Sequence, residues 1–225
     1  MRLAPPRLAA RAPLRSACAG FTLVELLVVI LVIVSVAAFA APSLSNAFDE
    51  RRTNQAAVSL ARLAGRARAA SVAQGRAYLL RFNPGESELG EVQVIRGINN
   101  GCNTNDWDAL LRGPACGEDN SMCMDRLRLD VSAYRTTSTS IRMRAAAADG
   151  VELDTLDLCY EPSGRVRHRA GEAVDGGRFL GANTIGGGYV FTFVRRAHTG
   201  ADSTENAGVN RRVLLPLDGD ARLLR

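Results

Sequence analysis

The feature that most constrains this chain is a single carboxylate set in an apolar run. Residues 21–41, FTLVELLVVILVIVSVAAFAA, carry Glu25 as their only charge. As a helix the run spans about 31 Å, the thickness of a bilayer core, so a membrane-spanning segment is the first expectation. A carboxylate inside such a helix costs roughly 2.5–3.5 kcal/mol on insertion scales and therefore calls for a partner. Before Gly20 stand Arg2, Arg7, Arg11 and Arg15 with no acid among them. The positive-inside rule keeps that end cytoplasmic and sends the remainder across. A cut after Gly20 would give Phe21 a cationic α-amine four residues, about one turn, ahead of Glu25 and on the same face, where amine and carboxylate can meet.

The run Gly20-Phe21-Thr22-Leu23-Val24-Glu25 resembles the processing site of the type IV prepilin and type II secretion pseudopilin superfamily, whose leader ends in Gly followed by F-T-L-x-E. The resemblance implies cleavage between Gly20 and Phe21 by a prepilin peptidase and N-methylation of Phe21. It implies assembly with other pilins or pseudopilins through the N-terminal helix, with Glu25 meeting the N-terminus of a neighbouring subunit. It also implies a single pass through the bacterial inner membrane, with the C-terminal domain in the periplasm and assembled into a pilus or pseudopilus. A secretory signal peptide ending at Ala38-Phe39-Ala40 is the competing reading. An apolar core of this length exceeds the roughly 7–15 residues of such a signal, which gains nothing from an acid. A lipoprotein signal at Cys18 fails because the apolar segment follows that cysteine.

Loss of residues 1–20 removes four arginines and lowers the formal charge from +5 to +1, so the high isoelectric point of the whole chain belongs largely to its first segment. All 28 basic residues are Arg and none is Lys, from which no function follows. The expected organisation is a leader at 1–20, a transmembrane and assembly helix at 21–48, an amphipathic continuation at 49–75 and a β-rich periplasmic domain at 76–225. Within 49–75, Ala56, Leu60, Leu63, Ala67 and Ala70 recur at three and four residues and form a narrow apolar stripe, leaving Arg62, Arg66 and Arg68 outside it. Pro42 should bend the helix rather than end it. After Gly75 the period changes to short β-rich runs at 76–82, 91–96, 126–131, 139–144, 153–160, 165–169, 189–195 and 211–217. Asn83-Pro84-Gly85, Pro162-Ser163-Gly164 and Asp218-Gly219-Asp220 supply turns, and 186–188 and 199–208 read as loops. The fold class is α+β, a long N-terminal helix packed on an antiparallel β domain.

The run 156–167 and the run 213–222 are similar to the strands and turns that close the GspH/FimT-type minor pseudopilins. Residues 90–125 align with nothing and read as an insertion. The segment after the leader keeps Cys102, Cys116, Cys123 and Cys159, an even number that suits disulfides in an oxidising compartment. Four cysteines allow three pairings, among which the sequence does not choose; Cys102–Cys116 with Cys123–Cys159 is taken as the expectation, a pairing that would tie the loop to the sheet. No cysteine or histidine spacing suits zinc. Asn103, Asn105, Asp106 and Asp108 gather oxygens around Trp107, but without the glycine and closing glutamate of an EF-hand loop, so no metal is expected. There is no P-loop, nucleophile elbow or converging acid–base set, so neither an enzyme nor a cofactor is expected.

Two functions share this assembly machinery. One is structural, a minor pseudopilin of a type II secretion pseudopilus or type IV pilus. The other is a minor pilin that captures DNA for natural transformation. FimT-type DNA-uptake pilins carry G-R-x-R near the C-terminal end of the domain, and Gly164-Arg165-Val166-Arg167 spells it at an earlier hairpin. In an extended strand Arg165, Arg167 and Arg169 would project from one face about 6.6–6.8 Å apart, a spacing suited to successive phosphates.

Overall fold

The structure is a computed structural model that describes residues 21–85, 88–136, 139–171, 177–181, 187–199, 202–205 and 209–224. A single helix, α1 (Leu23–Gln74), precedes all of the sheet structure. It runs through Pro42 without interruption and stops before Gly75, whose φ of 65° is the left-handed geometry that ends a helix at glycine. By contacts the chain divides into two units, one up to Leu44 and one from Ser45 to Arg225. In the first, residues 21–40 are all exposed, and Leu23–Ala40 has a mean hydropathy of 3.0, long and apolar enough to cross a membrane.

The second unit holds the rest of α1 and two antiparallel sheets. The first sheet has the order β3-β2-β1-β6-β7-β8, built from β1 (Tyr78–Asn83), β2 (Glu91–Arg96), β3 (Cys123–Arg128), β6 (Leu156–Tyr160), β7 (Val166–Ala170) and β8 (Leu180–Gly181). The second has the order β12-β11-β9-β4-β5, from β4 (Thr139–Ala147), β5 (Glu152–Leu153), β9 (Tyr189–Thr199), β11 (Arg211–Leu215) and β12 (Arg222–Leu224), with β10 (Asp202–Glu205) pairing β9 inside the stretch read as a loop. The α+β class is therefore as expected.

One core joins the three layers. The apolar stripe of α1 supplies Ala56, Leu60, Leu63 and Ala67, all buried, with Ala70 half-buried beside them. Alternate residues of the first sheet, among them Tyr78, Leu80, Phe82 and Leu158, meet Met143, Phe191, Phe193 and Val213 of the second, and Phe82 and Phe191 pack edge to face at 5.6 Å. Asp49, on the polar side of α1, accepts from Arg195 of β9 at 3.4 Å, and Glu50 accepts from Arg211 of β11 at 2.7 Å. Those two contacts orient the helix on the second sheet.

The residues between β2 and β3 cover the other face of the first sheet. They contain a 3-10 turn (Cys102–Thr104) and α2 (Trp107–Leu111), whose first turn is capped by Asp106 accepting from the Ala109 amide. Trp107 is 2 % exposed and its Nε1 donates to the Cys102 carbonyl at 2.7 Å. With Leu79, Ile95, Cys159 and Phe179 it makes a second, smaller core. Hence every residue of β6 is buried, because both of its faces are covered.

Two expectations need correction. The disulfides are Cys102–Cys159 and Cys116–Cys123, with Cα atoms 5.9 and 4.8 Å apart. Cys123 lies on β3 and Cys159 on β6, three strand spacings or about 14 Å apart, beyond the reach of one bridge. The third strand runs over Cys123–Arg128 rather than 126–131, because pairing with β2 begins at Cys123 across a bulge and the chain turns at 131–134.

Candidate functional site at the helix start and on the arginine strand

At the start of α1 the motif residues form a helix cap. Thr22 Oγ1 accepts from the Glu25 amide at 3.2 Å, and the Thr22 carbonyl accepts from the Leu26 amide, also at 3.2 Å. The spacing Thr-x-x-Glu is that of a capping box, and an acid in the first helical turn also meets the positive end of the helix dipole. Phe21 is 75 % exposed, and no hydrogen bond or ion pair engages the Glu25 carboxylate among the described residues. The chain thus presents a free carboxylate about one turn from the Phe21 backbone nitrogen, with its own backbone fixed. Gly20 lies outside the described residues.

The arginine strand is different from a row of free cations. Alternation along β7 holds, for Val166 and His168 are buried on the core side. Arg165 is exposed. Arg167 is half-buried and its Nε donates to Glu161 at 2.8 Å. Arg169 is 5 % exposed, because the segment between β2 and β3 and residues 177–181 close over it. Its Nε donates to Asp157 Oδ2 at 2.7 Å, its Nη1 to the Gly177 carbonyl at 3.2 Å, and its guanidinium stacks 4.6 Å from the Phe179 ring centroid. Asp157, fully buried on β6, also accepts from Arg81 of β1 at 2.7 Å through each oxygen. Asp108 of α2 stands 3.7 Å from both arginines. The cluster is a charged clamp that holds α2 to the sheet. The sequence offered one unread signal of it, an aspartate between two buried leucines at 156–158.

The four oxygen-bearing residues around Trp107 are separately engaged. Asn105 Oδ1 accepts from the Ile98 and Asn99 amides, Asn103 Oδ1 accepts from the Phe179 amide, Asp106 caps α2 and Asp108 faces the arginines. Among the described residues no group of His, Cys, Asp or Glu is arranged to hold a metal. His168 is buried against Tyr189, its Nε2 donating to the Gly181 carbonyl at 3.3 Å and its Nδ1 accepting from the Tyr189 hydroxyl at 2.7 Å. Burial pushes the His168 pKa below its ordinary value and the Tyr189 pKa above its own.

A family model for the prokaryotic N-terminal methylation motif matches residues 15–41. No curated protein and no solved structure matches the chain. The matched segment contains the capped Thr22–Glu25 turn and most of the exposed apolar helix, and it fits a type IV prepilin-like protein, a pilin or pseudopilin.

Proposed function

We propose that the chain is a minor pseudopilin, a structural subunit of a type II secretion pseudopilus or type IV pilus rather than an enzyme. The observation that carries this reading is the methylation motif at 15–41 joined to an exposed apolar helix that leads into a folded β domain. A prepilin peptidase cuts between Gly20 and Phe21, the new N-terminus is methylated, and residues 21–48 anchor the subunit in the inner membrane and pack against other pilins. Glu25 then meets the amine of a neighbour. The unpartnered carboxylate supports that role, and the two disulfides suit a domain held in the oxidising periplasm. The pairing of sheets behind the helix is compatible with the GspH/FimT type.

Capture of DNA finds less support. With Arg169 enclosed and Arg167 paired, Arg165 alone of the three remains available for a phosphate, and one contact gives a salt slope near one rather than three.

The test is Gly20→Val, which places a branched side chain beside the scissile bond. Unprocessed precursor is the expected product. Recovery of a normal species beginning at Phe21 would overturn the assignment, and a wild-type start at Ala41 would identify a secretory signal instead.

A further inference from the structure

A groove of about 410 Å³ runs along the outer edge of β3, between that strand and α1. Strand β3 is the last of its sheet, bonded to β2 on one side and to no strand on the other among the described residues. Leu63 and Leu127 form the floor, and Tyr134 closes one end. Four arginines line the groove, Arg62 and Arg66 one helical turn apart on α1 and Arg126 and Arg128 two residues apart on β3. Asp125 is the one acid in the lining. It is paired with Arg66 at 2.9 Å, and Arg128 is paired with Asp130. Arg62 and Arg126 are exposed and their side chains have no hydrogen bond or ion pair among the described residues, while the Arg126 backbone amide donates to Asp125 Oδ1 at 2.9 Å.

An edge strand carrying charge is ordinarily a guard against unwanted pairing. Here the charge does not stop at the edge, because the opposing helix contributes two more cations of the same sign, and the space between them is concave with an apolar floor. Such a surface repels cations and attracts an extended chain that brings carboxylates.

We propose that this groove binds an extended acidic segment of a partner protein, which adds to the free edge of β3 as a further strand. Backbone hydrogen bonds to the edge would supply affinity, as in other strand additions. Carboxylates at alternate positions would stand beside Arg126 and Arg128, within the Cβ spacing of about 4.5–5.5 Å that joins cross-strand neighbours. The residue between them would face Leu127 and the helix, so an acidic–apolar alternation suits the site better than a run of acids. Arg62, reaching over from α1, completes the positive rim. This surface lies in the domain and does not depend on the pilin reading, since binding there needs neither processing nor assembly.

The experiment uses the full chain in detergent micelles and a short fluorescent peptide of alternating Glu and Val. Fluorescence anisotropy should show binding of that peptide, with no binding of its Lys/Val counterpart or of a version interrupted by proline. Arg62→Glu with Arg126→Glu should weaken it by about tenfold or more, and both side chains are exposed, so the fold should be retained and checked by circular dichroism. Bound peptide should slow hydrogen exchange of the β3 amides. Absence of binding would leave the arginines as edge guards and overturn the proposal, as would equal binding by the double variant. Equal binding of the proline-interrupted peptide would reject strand addition, and preferential binding of a short DNA duplex through the same arginines would identify a nucleic-acid surface instead.

Discussion

Asp157 stands directly opposite Arg169 on the neighbouring strand, fully buried, with its Oδ2 accepting from the arginine Nε at 2.7 Å. Because Arg81 converges on the same carboxylate from β1, Asp157 is a counter-charge shared by two largely buried guanidiniums. Asp157→Ala removes the carboxylate that both share at hydrogen-bond distance, with Asp108 standing farther off at 3.7 Å from each. Removing one member of a buried pair typically costs about 3–5 kcal/mol. Urea denaturation should show a loss of that size, read through Trp107, the one tryptophan in the chain, which packs in the core this cluster borders. A change below about 1 kcal/mol would mean that the clamp is hydrated and does little.

The two disulfides should differ in worth. Cys102–Cys159 closes a loop with a sequence separation of 57 and Cys116–Cys123 one of 7. Chain entropy alone assigns them about 4 and about 2 kcal/mol. Replacement of both Cys102 and Cys159 by Ser should therefore lower stability more than the same change at Cys116 and Cys123, and it should shift Trp107 fluorescence to the red as the segment lifts from the sheet. Equal losses from the two pairs would refute the assignment of a long structural staple.

What the sequence made legible follows from where its signals are local. The period of three and four residues in α1 and the turn chemistry at Gly75, Gly85 and Gly164 are short-range, and the helix end and first hairpins fall where they indicate, with left-handed φ at all three glycines. The motif at Gly20, Phe21, Thr22 and Glu25 is equally local, although only the last three lie among the described residues. The cysteine pairing, the burial of Arg169 and the covering of β6 depend on a strand order that brings residue 159 beneath residue 102. Alternation placed Arg169 on the correct face of β7. It could not show that residues 97–122 would close over that face, because the residues that pack there, Cys102, Trp107, Leu110, Leu111 and Met122, are scattered without a helix or strand period that would announce a lid.

His168 should give the domain a pH-dependent stability. Its folded pKa lies below the ordinary 6.5 because burial disfavours the imidazolium. The unfolded chain therefore binds the proton first, so the stabilising contribution is present above pH 6.5 and is lost as pH falls below it toward the folded pKa. Denaturant midpoints measured from pH 7.5 to 5 should fall more steeply for the wild type than for His168→Gln, which cannot titrate and keeps a donor for Gly181. Parallel profiles would show that the ring protonates freely against Tyr189.

The last prediction separates the two jobs of the Thr22–Glu25 turn. In the single chain the Glu25 amide is held by Thr22 Oγ1 at 3.2 Å, while the carboxylate has no partner among the described residues. Loss of the cap by Thr22→Val removes the side-chain acceptor of the Glu25 amide at about 0.5–2 kcal/mol, which frays the first turn and leaves the charge in place. Loss of the charge by Glu25→Gln leaves the cap, since that bond uses the backbone of residue 25. It also eases membrane insertion, because a carboxylate is the costlier group in a bilayer. If the carboxylate exists to meet the amine of a neighbouring subunit, Glu25→Gln should be processed and inserted yet fail to crosslink into filaments, whereas Thr22→Val should still incorporate at reduced yield. Mass analysis of the mature N-terminus and crosslinking in membranes read the two steps independently. Wild-type incorporation of Glu25→Gln would assign the motif to helix capping alone and remove the intersubunit role.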